Sequence, residues 1–215
     1  MPKIAQTLSD QCDTKPYIVD ILQRLKIPPF CWALAGVCLA LAPFGDTGRI
    51  WLRFERNRIA EGEWWRLITA HAVHLGWSHT LMNIAGLLLT GAIAQHSLRP
   101  HEWPIITFAA ACGISAGLYV FDQDLVWYVG LSGVLHALIS AAALALILER
   151  DPVGAWLAAG IAAKLAYEQF VGPVPATLAL AGDRVIVSAH LYGAIIGISA
   201  FVICRVVPAR RRTPV

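Results

Sequence analysis

Residues 130–148 read GLSGVLHALISAAALALIL. The stretch contains no Asp, Glu, Lys, Arg or Pro, and about 20 such residues are enough for a helix to cross a bilayer. Only Ser132, His136 and Ser140 interrupt its apolar run. On either side of it lie five more apolar stretches, at about Pro28–Phe44, Trp77–Gln95, Pro104–Phe121, Val153–Val171 and Val185–Val207. Asp151-Pro152 supplies an N-cap and a first-turn proline for the fifth span of the six. Gly172-Pro173 stops it. In the first span Ala40-Leu41-Ala42 resembles a signal-peptidase site, but the long polar lead and the immediate Pro43 favour an uncleaved span.

Composition agrees with this reading. Of 215 residues 57% are hydrophobic and 14% charged, with mean hydropathy +0.60. Soluble domains run at about 45–50% apolar and about 25% charged, so disorder is excluded and the composition argues against a soluble globule. A scattered net charge of +3 gives no footprint for nucleic acid. The five cysteines lie far apart with no CxxC, which argues against a disulfide framework or zinc knuckle. The expectation is an all-α polytopic membrane protein with a cytoplasmic N-terminal segment (1–27), a six-helix membrane domain (28–207) and a basic cytoplasmic tail (208–215). Ten of the 17 Lys and Arg residues fall on the side shared by both termini and six on the other, which places the termini in the cytoplasm. Five of those six lie in one connection, residues 45–76, where Trp51, Phe54, Trp64 and Trp65 are mixed with Arg. That mixture fits helices lying in the membrane interface.

Polar side chains inside spans are costly and point to function. Ser132 lies in Gly130-Leu131-Ser132-Gly133, which reads either as small-residue helix packing or as a nucleophile at a helix N-terminus whose free N–H groups stabilise an oxyanion. His190 shares a helix face with Gly193 and Gly197, so it is either a buried hydrogen-bonding residue or a base pressed against a partner helix. His79 and Asn83, at i and i+4, are interhelical hydrogen bonders or oxyanion donors. Spans two, four and six run in the same direction. At about 1.5 Å per residue, Ser132, His190 and His79 lie within about 10 Å of the outer ends of their spans, with Asn83 one turn deeper. Independent packing accidents have no reason to align in this way, so the active-site reading is preferred. No metal or cofactor is expected. His71, His74 and His79 have no acidic ligand nearby, and His101-Glu102 is followed by Ile105 where HExxH needs His. The Asp122-Gln123-Asp124 loop offers water a polar entrance.

These residues carry a resemblance. Trp65-Arg66, His79-Thr80-Leu81-Met82-Asn83, Gly130-Leu131-Ser132-Gly133, and His190 with Gly193 and Gly197 resemble the rhomboid family of intramembrane serine proteases, over about residues 28–207. The resemblance implies a six-helix rhomboid-like bundle with Ser132 as nucleophile and His190 as general base, a dyad without an acid. His79, Asn83 and the Ser132 N–H would form the oxyanion hole. Within the family the chain is most similar to the rhombosortase branch, through Glu63-Trp64-Trp65-Arg66-Leu67, the run Gly130 to His136, Lys164 with Glu168, and Ala189-His190-Leu191-Tyr192-Gly193. That likeness implies a bacterial inner-membrane enzyme whose site opens to the periplasm. Its substrates would be membrane-anchored proteins ending in a C-terminal Gly-Gly, an apolar helix and a basic tail. Common rhomboids have Tyr where this chain has His136, which either stacks beside His190 or adds a second titrating group. Lys164 and Glu168, one turn apart, read as a mutually neutralising pair or as a grip on the unwound substrate tail. Two alternatives stay open, a rhomboid with broader transmembrane substrates and a small proton-coupled transporter.

Overall fold

The computed structural model describes residues 26–182 and 184–206. Most of the expected N-terminal segment and the whole basic tail lie outside these residues. Each of the six apolar stretches is helical: α1 (Pro29–Leu41), α5 (Trp77–Ala94), α6 (Glu102–Phe121), α7 (Ser132–Leu148), α8 (Pro152–Phe170) and α10 (Val187–Val206). The Asp151 carboxylate accepts the Val153 N–H at 2.9 Å, as its N-cap position requires. The outer connection holds α2 (Gly45–Leu52), β1 (Phe54–Glu55), α3 (Arg56–Ala60) and α4 (Arg66–Thr69). A further short helix, α9 (Pro175–Ala181), precedes α10.

The segment Pro29–Leu52, α6 and α10 are long and apolar enough to cross a membrane, and α7 is apolar but shorter. Helices α5 and α8 fall below that hydropathy because they carry His79 and Asn83, and Lys164 and Glu168. Helix α7 is the centre of the bundle, in contact with α5, α6, α8 and α10, while α1 lies against α5. Its alanines allow these close approaches: Ala137, Ala141, Ala142 and Ala145 are all buried, beside Val134 and Leu138. The outward faces are apolar, with Leu89, Phe108, Trp156, Phe170 and Ile203 exposed, and such a surface needs lipid around it.

The outer connection is more ordered than interfacial helices alone would be. Strand β1 pairs antiparallel with β2 (Trp127–Tyr128), Phe54 opposite Tyr128 and Glu55 opposite Trp127. Two-residue strands have no period to read, so this ribbon leaves no local signal in the sequence. Arg56 donates to the carbonyls of Leu118, Tyr119, Asp122 and Leu125 at 2.7–3.1 Å. It thereby caps the open C-terminal end of α6 with a positive charge, where unpaired carbonyls favour one. Arg66 is buried and ties Glu63 to the carbonyls of Ile50 and Arg53. Trp51, Trp64 and Trp65 remain exposed, as interfacial aromatics do. At the opposite end of the bundle Arg205 pairs with the fully buried Glu102 at 2.6 Å.

Candidate active site

The approach to α7 is pinned at three points. Tyr128 Oη donates to the Gly130 carbonyl at 2.7 Å, the Gly130 N–H to Ala70 at 3.0 Å, and the Leu131 N–H to His74 Nε2 at 3.3 Å. Gly130 has φ +121°, and a Cβ there would meet His79 Cε1 at 3.0 Å, so backbone and space both demand glycine. The helix therefore starts at Ser132 and not at Gly130, leaving its first N–H groups without intrahelical partners beside the Ser132 side chain.

Helix α10 crosses α7 backbone to backbone. A Cβ on Gly193 would run into the Gly133 carbonyl oxygen, and one on Gly197 into the Ala137 carbonyl oxygen. This contact carries His190 to Ser132: His190 Nε2 and Ser132 Oγ are 2.9 Å apart, and His190 is 1% exposed. On the far side of the ring, His190 Nδ1 lies 2.8 Å from Glu168 Oε2. A carboxylate only accepts, so the neutral ring donates Nδ1–H to Glu168 and keeps the Nε2 lone pair for the serine hydroxyl. The resemblance implied a dyad without an acid. Here a carboxylate stands in line with the pair.

The rest of the cluster organises that line. His136 stacks on His190, with ring centroids 4.1 Å apart and planes 14° apart, which is the first of its two expected roles. His136 Nδ1 faces the Ser132 carbonyl at 2.7 Å, and its Nε2 lies 3.1 Å from Lys164 Nζ. The same ammonium meets Glu168 Oε1 at 2.5 Å. His136, Glu168 and His190 are close enough to resemble a metal-ligand set, but the Lys164 ammonium already sits against them. His79 lines a cavity of about 20 Å³ with Ser132, His190, Met82, Trp127 and Arg184. Asn83 is buried one turn deeper, with its amide donating to the His79 carbonyl at 3.0 Å. Trp65 and Arg66 belong to the outer connection and do not reach the cluster. Asp122, Gln123 and Asp124 line an open cleft of about 510 Å³ that shares Val185 and Ile186 with the Ser132 cavity.

His71 and His74 are scaffold. His71 Nε2 sits 3.0 Å from the Ala111 carbonyl, and burial pushes its pKa down to about 4. Burial, and then the neighbouring His79 ring, push His74 down to about 3, and the neutral ring accepts the Leu131 N–H. The sequence reading missed the contact between Glu168 and His190. Each residue stands out in its own span, but the register between α8 and α10 is not written in either helix.

A serine at the start of a central helix, beside a buried histidine from a second helix packed through glycines, has the parts that nucleophilic chemistry needs. The rhomboid domain model matches residues 61–206, and the chain belongs to the rhomboid family. Among its relatives is the rhomboid protease GlpG of Klebsiella pneumoniae, 28% identical over 60% of this chain and 47% of that protein. GlpG of Salmonella choleraesuis is 27% identical over 64% and 49%. The rhomboid protease GluP of Bacillus subtilis is 32% identical over 32% of this chain and 13% of its own length. The chain thus spans about half the length of the GlpG relatives it matches. Together with the apolar helices, family membership makes this a multi-pass membrane protein.

Proposed function

We propose that this chain is an intramembrane serine endopeptidase of the rhombosortase type, with six spans, both termini in the cytoplasm of a bacterial inner membrane, and a site opening to the periplasm. The observation that carries the proposal is the 2.9 Å contact between Ser132 Oγ and His190 Nε2 at the unpaired N-terminus of α7. Ser132 attacks the scissile carbonyl while its proton passes to His190 Nε2. The oxyanion that forms is held by the Ser132 N–H and by His79 and Asn83, whose second amide N–H is free for the purpose. His190 then protonates the departing amine, and water releases the acyl group by the reverse path.

Two features support a Gly-Gly tail as substrate. The space beside Ser132, about 20 Å³, holds little more than one water, so small residues fit it best. A helix must also unwind before its carbonyls can be attacked, and glycine lowers that cost. A groove of about 360 Å³ between α5, α7 and α8 runs from Leu89 and Trp156 to His136 and Lys164, a route by which a substrate helix can arrive from lipid.

The test uses full-length protein in proteoliposomes with a single-span reporter ending in Gly-Gly, an apolar helix and an Arg run. The reporter should be cut by the native chain and left intact by Ser132→Ala. Equal cleavage of a reporter with Val-Val in place of Gly-Gly would favour the broader rhomboid reading. Cleavage by Ser132→Ala would end the serine-protease reading, and a proton transporter would keep its transport in that variant.

A further inference from the structure

We infer that Glu168 is a positioning residue for His190, completing a Ser132–His190–Glu168 line, and that Lys164 is the cation that keeps this carboxylate ionised and aimed. The inference rests on the serine-protease reading and deepens it.

The Glu168 carboxylate divides its two oxygens between two partners. Oε1 is held by Lys164 Nζ at 2.5 Å and Oε2 faces His190 Nδ1 at 2.8 Å. Glu168 is 1% exposed, and a carboxylate so buried needs both a counter-charge and donors. The i, i+4 spacing on α8 supplies the counter-charge from the adjacent turn. Lys164 has a side chain 31% exposed and lines the α5–α8 groove, whereas Glu168 does not reach that groove. A grip on the substrate tail is therefore open to Lys164 but closed to Glu168, which has only the imidazole to act on.

That action is tautomer control. Each ring nitrogen near the serine has one closest partner, and Lys164 Nζ also lies 3.5 Å from His190 Nδ1, outside the 2.8 Å contact with Glu168. His136 Nδ1 faces the Ser132 carbonyl, His136 Nε2 faces Lys164, His190 Nδ1 faces Glu168, and His190 Nε2 faces Ser132. The stacked His136 fixes the plane of the His190 ring, and Glu168 fixes which nitrogen carries the proton. The charged and titratable groups packed around His190 are Glu168 and Lys164 from α8 and His136 from α7, with His79 of α5 lining the same cavity. When Ser132 Oγ bonds to the carbonyl carbon and its proton moves to Nε2, the imidazolium lies between the new oxyanion and the Glu168 carboxylate. When Nε2–H passes to the leaving nitrogen and the C–N bond breaks, the ring returns to the same neutral tautomer. Glu168 is not protonated at any step.

The test compares Glu168→Gln with the native chain in proteoliposomes. It measures kcat and KM on the Gly-Gly reporter, the rate of Ser132 labelling by a fluorophosphonate (which needs no substrate), and the thermal midpoint. A carboxamide keeps the shape but can turn its NH2 toward Nδ1 and impose the wrong tautomer. The expected result is a folded protein with kcat lower by about 100- to 10,000-fold, a parallel fall in labelling rate, and KM within about threefold. Should the stranded Lys164 prevent folding, the double variant Lys164→Met with Glu168→Gln removes both charges and is read in the same way. A folded variant with kcat and labelling rate within about threefold of native would overturn the positioning role. In that case an inactive Ser132→Ala shows that only this inference has failed, whereas an active Ser132→Ala shows that the protease reading itself has failed.

Discussion

The crossing of α10 over α7 sets the distance between His190 and Ser132, the proposed base and nucleophile, so a methyl group placed in it should act on catalysis. In Gly193→Ala the new Cβ would lie 2.9 Å from the Gly133 carbonyl carbon and closer still to its oxygen. In Gly197→Ala it would lie 2.5 Å from Ala137 Cα. Ordinary contact begins at 3.4 Å, and the obstructing atoms are backbone, so the helices must part. The Gly133 and Ala137 carbonyl oxygens are the nearest atoms and set the separation, which is more than about 1 Å, and because His190 is one turn from Gly193 it is passed on to the 2.9 Å Nε2–Oγ contact. A misplacement of that size costs about 100-fold in rate, and the overpacking about 1–3 kcal/mol in stability. Reporter cleavage in proteoliposomes gives the first number and a thermal melt in detergent the second. Gly36→Ala is the control: nothing lies within 4 Å of its Cβ position on α1, and the change should leave kcat untouched. A folded Gly193→Ala protein with native kcat would refute the claim that this crossing holds the pair in register.

Four further outcomes are expected. Ser132→Ala and His190→Ala should each abolish reporter cleavage, and the double variant should be no worse than either, since residues acting as a unit are non-additive; additive losses would separate them. Asn83→Ala and His79→Ala should lower kcat by about 10- to 1000-fold with the fold intact, and a change confined to KM would make them binding groups instead. His71 and His74 are neutral in the folded protein with pKa values of about 4 and about 3, below the ordinary 6.5, so the unfolded chain takes up protons first and stability is lost as pH falls from about 6.5 toward those values. The melting midpoint should therefore drop between pH 7 and pH 5, less steeply in His74→Gln, and a flat profile would count against this. Arg56→Ala removes the guanidinium donors from four carbonyls at and just beyond the end of α6 and should destabilise by about 2–3 kcal/mol, read from the same melts.

What the sequence could convey follows from the range of the forces involved. Helix positions were legible because apolar runs bounded by Asp-Pro, Gly-Pro and charged residues are local signals. Ser132, His190 and His79 were legible because polar groups in apolar spans stand out and helical rise converts sequence position into depth. The i, i+3, i+7 face of His190, Gly193 and Gly197 foretold a close crossing, and the structure has that crossing. Relations between helices were hidden. The azimuth of α8, which turns Glu168 toward His190 and leaves Lys164 at the groove, depends on how α7 and α10 pack against it. The β1–β2 ribbon and the Arg56 cap are also long-range, joining residues about 70 positions apart, and neither segment alone has a pattern to announce them. The start of α7 at Ser132 and not at Gly130 followed from a φ that only glycine tolerates comfortably there.

The size of the cavity at Ser132 also bears on reagent supply. In an open cleft water is solvent, present in excess and never a variable. On the proposed protease reading, about 20 Å³ holds roughly one molecule, which would have to be delivered from the adjoining cleft for each turnover. An acyl group on Ser132 would then face a queue and not a bath. Release would depend on how often that one place is refilled after the severed helix withdraws. Any nucleophile as small as water, such as ammonia or hydroxylamine, would compete for the place nearly as an equal, while a bulkier amine would have to wait for the cleft to open. On that reading the ratio of hydrolysis to transfer would be set by the dimensions of the acceptor as much as by its basicity.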